Sequence, residues 1–123
     1  MPSIAEKRAT YRQLHAAGYF VIPNPWDIGT ARYMQGLGFK ALASTSAGYA
    51  FSLGLPDGAV TRDAMLAHFR ELVAVTDVPI NADFENGYAD APEAMAESVR
   101  LAIATGVAGL NAFFSDDAKK RPS

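Results

Sequence analysis

Apolar positions recur along this chain at two periods, in alternating blocks. Ile4, Tyr11, Leu14 and Ala17 recur at helical spacing, as do Ile28, Ala31, Met34 and Leu37, then Met65, Leu66, Phe69, Leu72 and Val73, and finally Met95, Val99, Ala102 and Ile103. Each set predicts a helix with one buried stripe. Between them lie short apolar runs, Phe20–Ile22, Phe39–Thr45, the run that opens with Val78-Pro79-Ile80, and Val107–Phe114. These predict strands.

The punctuation supports the same division. Ser3 with Glu6, and Asp90 with Glu93, have capping-box spacing, Asp27 and Thr61 stand where N-caps belong, and Pro92 suits a first helical turn. Glycine closes three helices at Gly18, Gly38 and Gly106, and each is followed at once by a strand; Val75-Thr76-Asp77-Val78 is the glycine-free version. A repeated helix, turn and strand predicts parallel strands joined by right-handed crossovers, an α/β fold. Four such units in 123 residues amount to a partial TIM (β/α)8 barrel, since the closed form takes about 250 residues. The expected organisation is a half barrel over residues 1–115 and a disordered tail over 116–123, where the sequence is charged and has no apolar face.

Composition narrows the chemistry. Half the residues are hydrophobic and a fifth charged, a globular balance, and a formal charge of −2 gives no electrostatic reason to expect a nucleic acid or an anionic membrane. Cysteine is absent, which excludes disulfides, zinc–thiolate centres and a cysteine nucleophile in these residues. No apolar run approaches the roughly 18 residues of a membrane span, so a cytoplasmic protein is expected.

The chain is organised around Val78-Pro79-Ile80-Asn81-Ala82-Asp83-Phe84-Glu85-Asn86-Gly87-Tyr88, an apolar strand that runs into two acids and a glycine turn. Ligands of parallel sheets bind at the carboxyl ends of the strands. Those ends should gather Asn24 and Asp27, Thr45 and Ser46, Asp83 and Glu85, with Asp57 arriving from the long loop after the second strand. An all-oxygen set of this kind suits Mg²⁺ or Mn²⁺, which would stabilise an enolate next to a chelating oxo or hydroxy acid. Simpler roles exist for several of them: Asp27 as a helix cap, Asp57 as a turn residue, Thr45 and Ser46 as caps of the sheet edge, and His15 and His68 as ordinary surface or half-buried residues. Trp26 and Tyr49 are candidates to shape a pocket.

Four segments, Asn24-Pro25-Trp26-Asp27, Ala43-Ser44-Thr45-Ser46-Ala47-Gly48-Tyr49-Ala50, Gly54-Leu55-Pro56-Asp57-Gly58 and Val78–Tyr88, resemble the isocitrate lyase and phosphoenolpyruvate mutase superfamily in content and order. The resemblance covers about residues 4 to 110. It implies a (β/α)8 barrel, a magnesium ion at its carboxyl face, and a small 2-oxo or 2-hydroxy acid as substrate. It further implies that Thr45, Ser46 and Ala47 form the catalytic segment that holds the substrate carboxylate, with Trp26 and Asp83 also at the substrate. Asp57, Asp83 and Glu85 correspond to the metal-site acids, Asp83 binding directly and the others largely through water.

The chain departs from that pattern after Leu110, where Asn111-Ala112-Phe113-Phe114 replaces the usual run ending in a metal-site glutamate. The expectation is therefore a lyase or mutase, or a truncated or frame-shifted fragment of one, that breaks a carbon–carbon or carbon–phosphorus bond through a pyruvate-like enolate. The alternative is an inactive remnant that folds as a self-associating half barrel. Its unpaired sheet edges would make it a homo-oligomer.

Overall fold

The computed structural model describes residues 1–112. Five helices and three strands follow one another as α1 (Ile4–Ala16), α2 (Ile28–Gly36), β1 (Leu42–Ala43), α3 (Ser46–Ser52), α4 (Arg62–Val75), β2 (Ile80–Asp83), α5 (Pro92–Ala104) and β3 (Gly109–Asn111). The strands form one parallel sheet in the order β1-β2-β3. Leu42 pairs with Ile80, and Asp83 pairs with Asn111 at the carboxyl rim. This is a mixed α/β fold, with α4 and α5 as the two crossover helices.

The caps explain why the helices start where they do. Ser3 and Glu6 make the reciprocal capping box, Thr61 accepts from the Ala64 amide, and Pro92 opens α5. At α5 the expected box does not form: the N-cap is Ala91, without a side-chain cap bond, because the helix begins two residues after Asp90, at Pro92.

The strands are shorter than their apolar runs. Phe20–Ile22 is not a ladder strand; Pro23 and Pro25 lack the amide donors a ladder needs, and the segment touches the sheet through Ala43 N–H donating to Pro23 O at 3.0 Å. The run Phe39–Thr45 contracts to Leu42–Ala43, and the expected loop after it holds α3, because Thr45 turns from strand to helix cap and its hydroxyl accepts from the Gly48 amide. The fourth predicted strand keeps Gly109–Asn111. Its last residues, and the tail predicted over 116–123, lie outside the described residues.

The core fills the space between sheet and helices. Ile80, Ala82 and Phe84 alternate toward α4, whose Met65, Leu66, Phe69, Leu72 and Val73 are all buried; the Phe69 and Phe84 rings lie 5.7 Å apart. Burying each of these large side chains contributes roughly 1.5–3 kcal/mol. The other helices bury less than their stripes predict: Ile4, Ile28, Leu37 and Ile103 are exposed. In α1 the buried residue is instead Lys7, whose ammonium donates to Val73 O at 2.9 Å and Thr76 O at 2.6 Å. Arg8 beside it donates to Ile103 O and Val107 O. Two adjacent cations thus cap the carboxyl ends of α4 and α5, which places α1 at the end of the sheet opposite Asp83.

Among the described residues no helix is long and apolar enough to cross a membrane.

Candidate functional site

Alternation along β2 sends Ile80 and Ala82 into the helical core and leaves Asn81 and Asp83 on the opposite face. Asp83 is the last residue of the strand, and neighbouring segments hold it. Its amide donates to Ser44 Oγ at 2.9 Å, while its Oδ2 accepts from the Ser46 amide at 3.1 Å and the Ser46 hydroxyl at 2.9 Å. The carboxylate therefore sits at the first turn of α3 with one oxygen committed. The other oxygen, Oδ1, receives only a long bond of 3.4 Å from the Glu85 amide.

The same contacts bear on the predicted Thr45-Ser46-Ala47 segment. Thr45 caps α3 and Ser46 is bound to Asp83, so both have partners within the chain. The Ala47 amide, at the second position of α3, has no acceptor among the described residues, as expected for a first-turn amide without a cap. Trp26 is partly exposed and packs beside α3: a Cβ at Gly48 would stand 3.1 Å from Trp26 Cβ.

Asp27 does what a cap does. It makes a reciprocal box with Thr30, whose amide donates at 2.8 Å, and these bonds hold the Asp27 carboxyl below its usual range. Asn24 donates to Ala43 O at 3.1 Å and so ties the proline segment to β1.

Beyond Asp83 the chain makes a tight turn, with Glu85 and Tyr88 both in the left-handed region at φ 51° and 57°. Neither is glycine, and such backbone costs of order 1–3 kcal/mol per residue. The Glu85 carboxyl is raised above its usual range, first by burial and then by the charges of Asp57 and Asp83, while Tyr88 acts in the opposite direction. The field at Glu85 thus registers all three acids. Asp57 itself is exposed in the turn after α3. Among the described residues no three of the His, Cys, Asp and Glu side chains stand close enough to hold an ion directly between them.

Tyr88, quoted in the acidic stretch but given no role there, stands at this point. Its ring packs 5.2 Å from Phe84, and its hydroxyl is shut away from water beside Glu85, with no hydrogen bond of ordinary geometry to it. Burial, more than the adjacent acids, drives the phenol's pKa up. Ser44 likewise has no signal in the sequence, being one serine in a run of small strand residues.

His68 is neither surface nor half-buried. It is 1% exposed, stacks on Tyr49 with ring centroids 3.7 Å apart, and its Nε2 has no partner among the described residues. Burial holds its pKa down at about 4, against a small upward pull from Asp27. Tyr49 thus packs α3 onto α4 through His68.

A parallel α/β sheet with acids at its carboxyl rim is an arrangement common to many lyases and mutases. The phosphoenolpyruvate phosphomutase family profile matches residues 11–121, and the chain belongs to that family, within the phosphoenolpyruvate mutase and isocitrate lyase superfamily. A crystal structure from Burkholderia cenocepacia J2315, assigned as a lyase/mutase, is 52% identical with a TM-score of 0.85, over 89% of this chain and 39% of that one. The 2,3-dimethylmalate lyase of Eubacterium barkeri is 37% identical over 90 residues, which are 72% of this chain and 31% of that enzyme. A phosphonopyruvate hydrolase solved with oxalate and Mg²⁺ shares the fold at 19% identity and a TM-score of 0.79, over 85% of this chain and 37% of that one. The chain spans less than two fifths of the length of each.

Proposed function

We propose that this chain is the amino-terminal half of a (β/α)8 barrel from a Mg²⁺-dependent lyase or mutase that acts on a small 2-oxo or 2-hydroxy acid. The observation that carries this reading is the double hydrogen bond from Ser46 to one oxygen of Asp83, which fixes the carboxylate at the strand end and turns its second oxygen toward the acid turn.

The residues fit the ion on two grounds. All the donors are oxygens, as Mg²⁺ and Mn²⁺ prefer. The Glu85 carboxyl is raised first by burial and also by the charges of Asp57 and Asp83, a repulsion that a cation would relieve. Asp83 would bind directly, with Asp57 and Glu85 acting through water, in keeping with the reluctance of Mg²⁺ to shed its water shell and with the spacing of the side chains. When bound, the ion supplies Lewis-acid stabilisation to a pyruvate-like enolate as the carbon–carbon or carbon–phosphorus bond breaks.

The chain's own groups bind and orient. The Ala47 amide, without an acceptor among the described residues, offers a donor to a substrate carboxylate beside Asp83. Trp26 stands beside Gly48 at the first turn of α3, exposed to solvent, where a substrate could cover it. Ser46 keeps Asp83 in one rotamer, so the carboxylate loses little freedom on binding. A 2,3-dimethylmalate lyase among the relatives supports a hydroxy acid with a cleavable carbon–carbon bond.

The test is the melting temperature of the chain with Mg²⁺ and oxalate, alone and together. A joint rise is expected for the wild type, by mass action on the folded state, and none for Asp83→Ala. A rise that Asp83→Ala leaves intact would refute the site.

A further inference from the structure

We infer that His68 is the positioning residue of α3: neutral, it seats Tyr49 and so holds the helix turn that binds Asp83, and when it takes a proton that turn is released. This bears on the function proposed above through Asp83, yet every contact involved lies within the chain.

The imidazole has no place for a second proton. It is 1% exposed, its Nε2 has no partner among the described residues, and the Tyr49 ring covers it with centroids 3.7 Å apart and planes 12° from parallel. The titratable groups that face it are Tyr49 from α3 and Asp27 from the start of α2. Asp27 favours the charged ring, but its Oδ1 already accepts from the Thr30 amide and hydroxyl, both at 2.8 Å, and burial outweighs its pull. The face of the Tyr49 ring attracts a cation too, though by less than an unpaired charge costs when it is held out of water. A proton on His68 must therefore move one of its walls.

The wall that yields is α3. Around His68, α4 buries Met65, Leu66, Phe69, Leu72 and Val73, and Lys7 holds its last carbonyls. By contrast α3 buries Ser46 and Ala50 and continues into exposed Phe51, Leu53 and Leu55. Ser46 and Tyr49 are three residues apart, neighbours on one face of the helix, so a shift of Tyr49 off the imidazole pulls on Ser46. There the bonds to Asp83 Oδ2, from the Ser46 amide at 3.1 Å and its hydroxyl at 2.9 Å, are the tie that opposes release. The charge on His68 and the grip on Asp83 are thus linked, and linkage is reciprocal. Weakening the Ser46 tie must make His68 easier to protonate.

The experiment follows the imidazole resonance of His68 by NMR between about pH 7 and pH 3, assigned by its loss in His68→Phe. The emission of Trp26, the chain's single tryptophan, which stands beside Gly48 of α3, is the second reporter. In Ser46→Ala the His68 midpoint should rise by about one pH unit, while Gly36→Ala, in open space on α2, leaves it in place. In the wild type the emission should shift as His68 titrates, with far-UV ellipticity unchanged, and His68→Phe should abolish that shift. A midpoint that Ser46→Ala leaves unmoved overturns the inference. So does an emission change that persists in His68→Phe, or one that comes only with loss of ellipticity. None of these readings uses Mg²⁺ or oxalate, so their failure leaves the proposed ion site standing, and a chain that does not respond to Mg²⁺ leaves the role of His68 standing.

Discussion

Ser46 gives Asp83 two hydrogen bonds, one from its amide and one from its hydroxyl, and both fall on the same carboxylate oxygen. The residues are 37 apart in sequence and belong to different βα units, so this contact ties the end of β2 to the first turn of α3. Bonds to a charged acceptor contribute about 1.5–3 kcal/mol each. Ser46→Ala should therefore lower stability by about 2 kcal/mol, read as a drop in the urea midpoint with an unchanged slope. An unmoved midpoint would mean that Asp83 is held by other groups.

Gly48 sits where α3 meets Trp26. A Cβ there would stand 2.6 Å from Thr45 Cγ2 and 3.1 Å from Trp26 Cβ, closer than carbon atoms pack. Gly48→Ala is expected to displace the indole and cost about 1–3 kcal/mol, visible together as a shifted tryptophan emission and a lower melting temperature. Gly36, with open space around it in α2, is the control: Gly36→Ala should leave the emission unchanged.

At the other end of the sheet Lys7 holds the last carbonyls of α4. Burial lowers the pKa of its ammonium, with Asp77 opposing, yet the two short bonds to backbone oxygens keep it engaged. Lys7→Met preserves the aliphatic stem and removes the donors, and should destabilise by about 2 kcal/mol in urea denaturation. Loss of the fold's amino-terminal helix from α4 would show as faster hydrogen exchange at Val75 to Val78. Exchange rates like those of the wild type would contradict this role.

The pH dependence follows from His68. Its folded pKa is about 4 against an ordinary 6.5, so between those values the unfolded chain binds the extra proton. Stability is fully present above pH 6.5 and falls as the pH drops toward 4, by about 3 kcal/mol over the window. Asp27, held low, gives up its own contribution only as the pH falls further, and Glu85, held high, pulls the opposite way near its titration. The loss of stability as the pH falls from 6.5 toward 4 is therefore the contribution of His68, with Glu85 opposing it. Replacing His68 by phenylalanine keeps a ring against Tyr49 and should remove that loss; an unchanged loss would assign it elsewhere.

The helical frame was legible because its causes are local. Ser3, Asp27 and Thr61 act within three residues, and the α4 stripe lies wholly within fourteen. Structure and sequence part where a distant partner decides. Thr45 extends a strand by its neighbours' pattern, but Asp83 across the sheet draws Ser46 into a helix start. Lys7 reads as a surface residue until the carbonyls of α4, some seventy positions on, come within reach. His68 reads as half-exposed until Tyr49 covers it. For the site, the acidic stretch announced Asp83 and Glu85, whereas Tyr88 was silent, because nothing in a sequence marks a hydroxyl as unpaired.

In the proposed site one divalent cation binds at Asp83 beside an oxo-acid. The most direct measurement of that binding is electron paramagnetic resonance of Mn²⁺ added to the chain with oxalate, where bound ions leave the free-ion signal. One Mn²⁺ is expected to bind per wild-type chain, with binding lost in Asp83→Asn. A free-ion signal undiminished by the wild-type chain, or diminished equally by the variant, would contradict it.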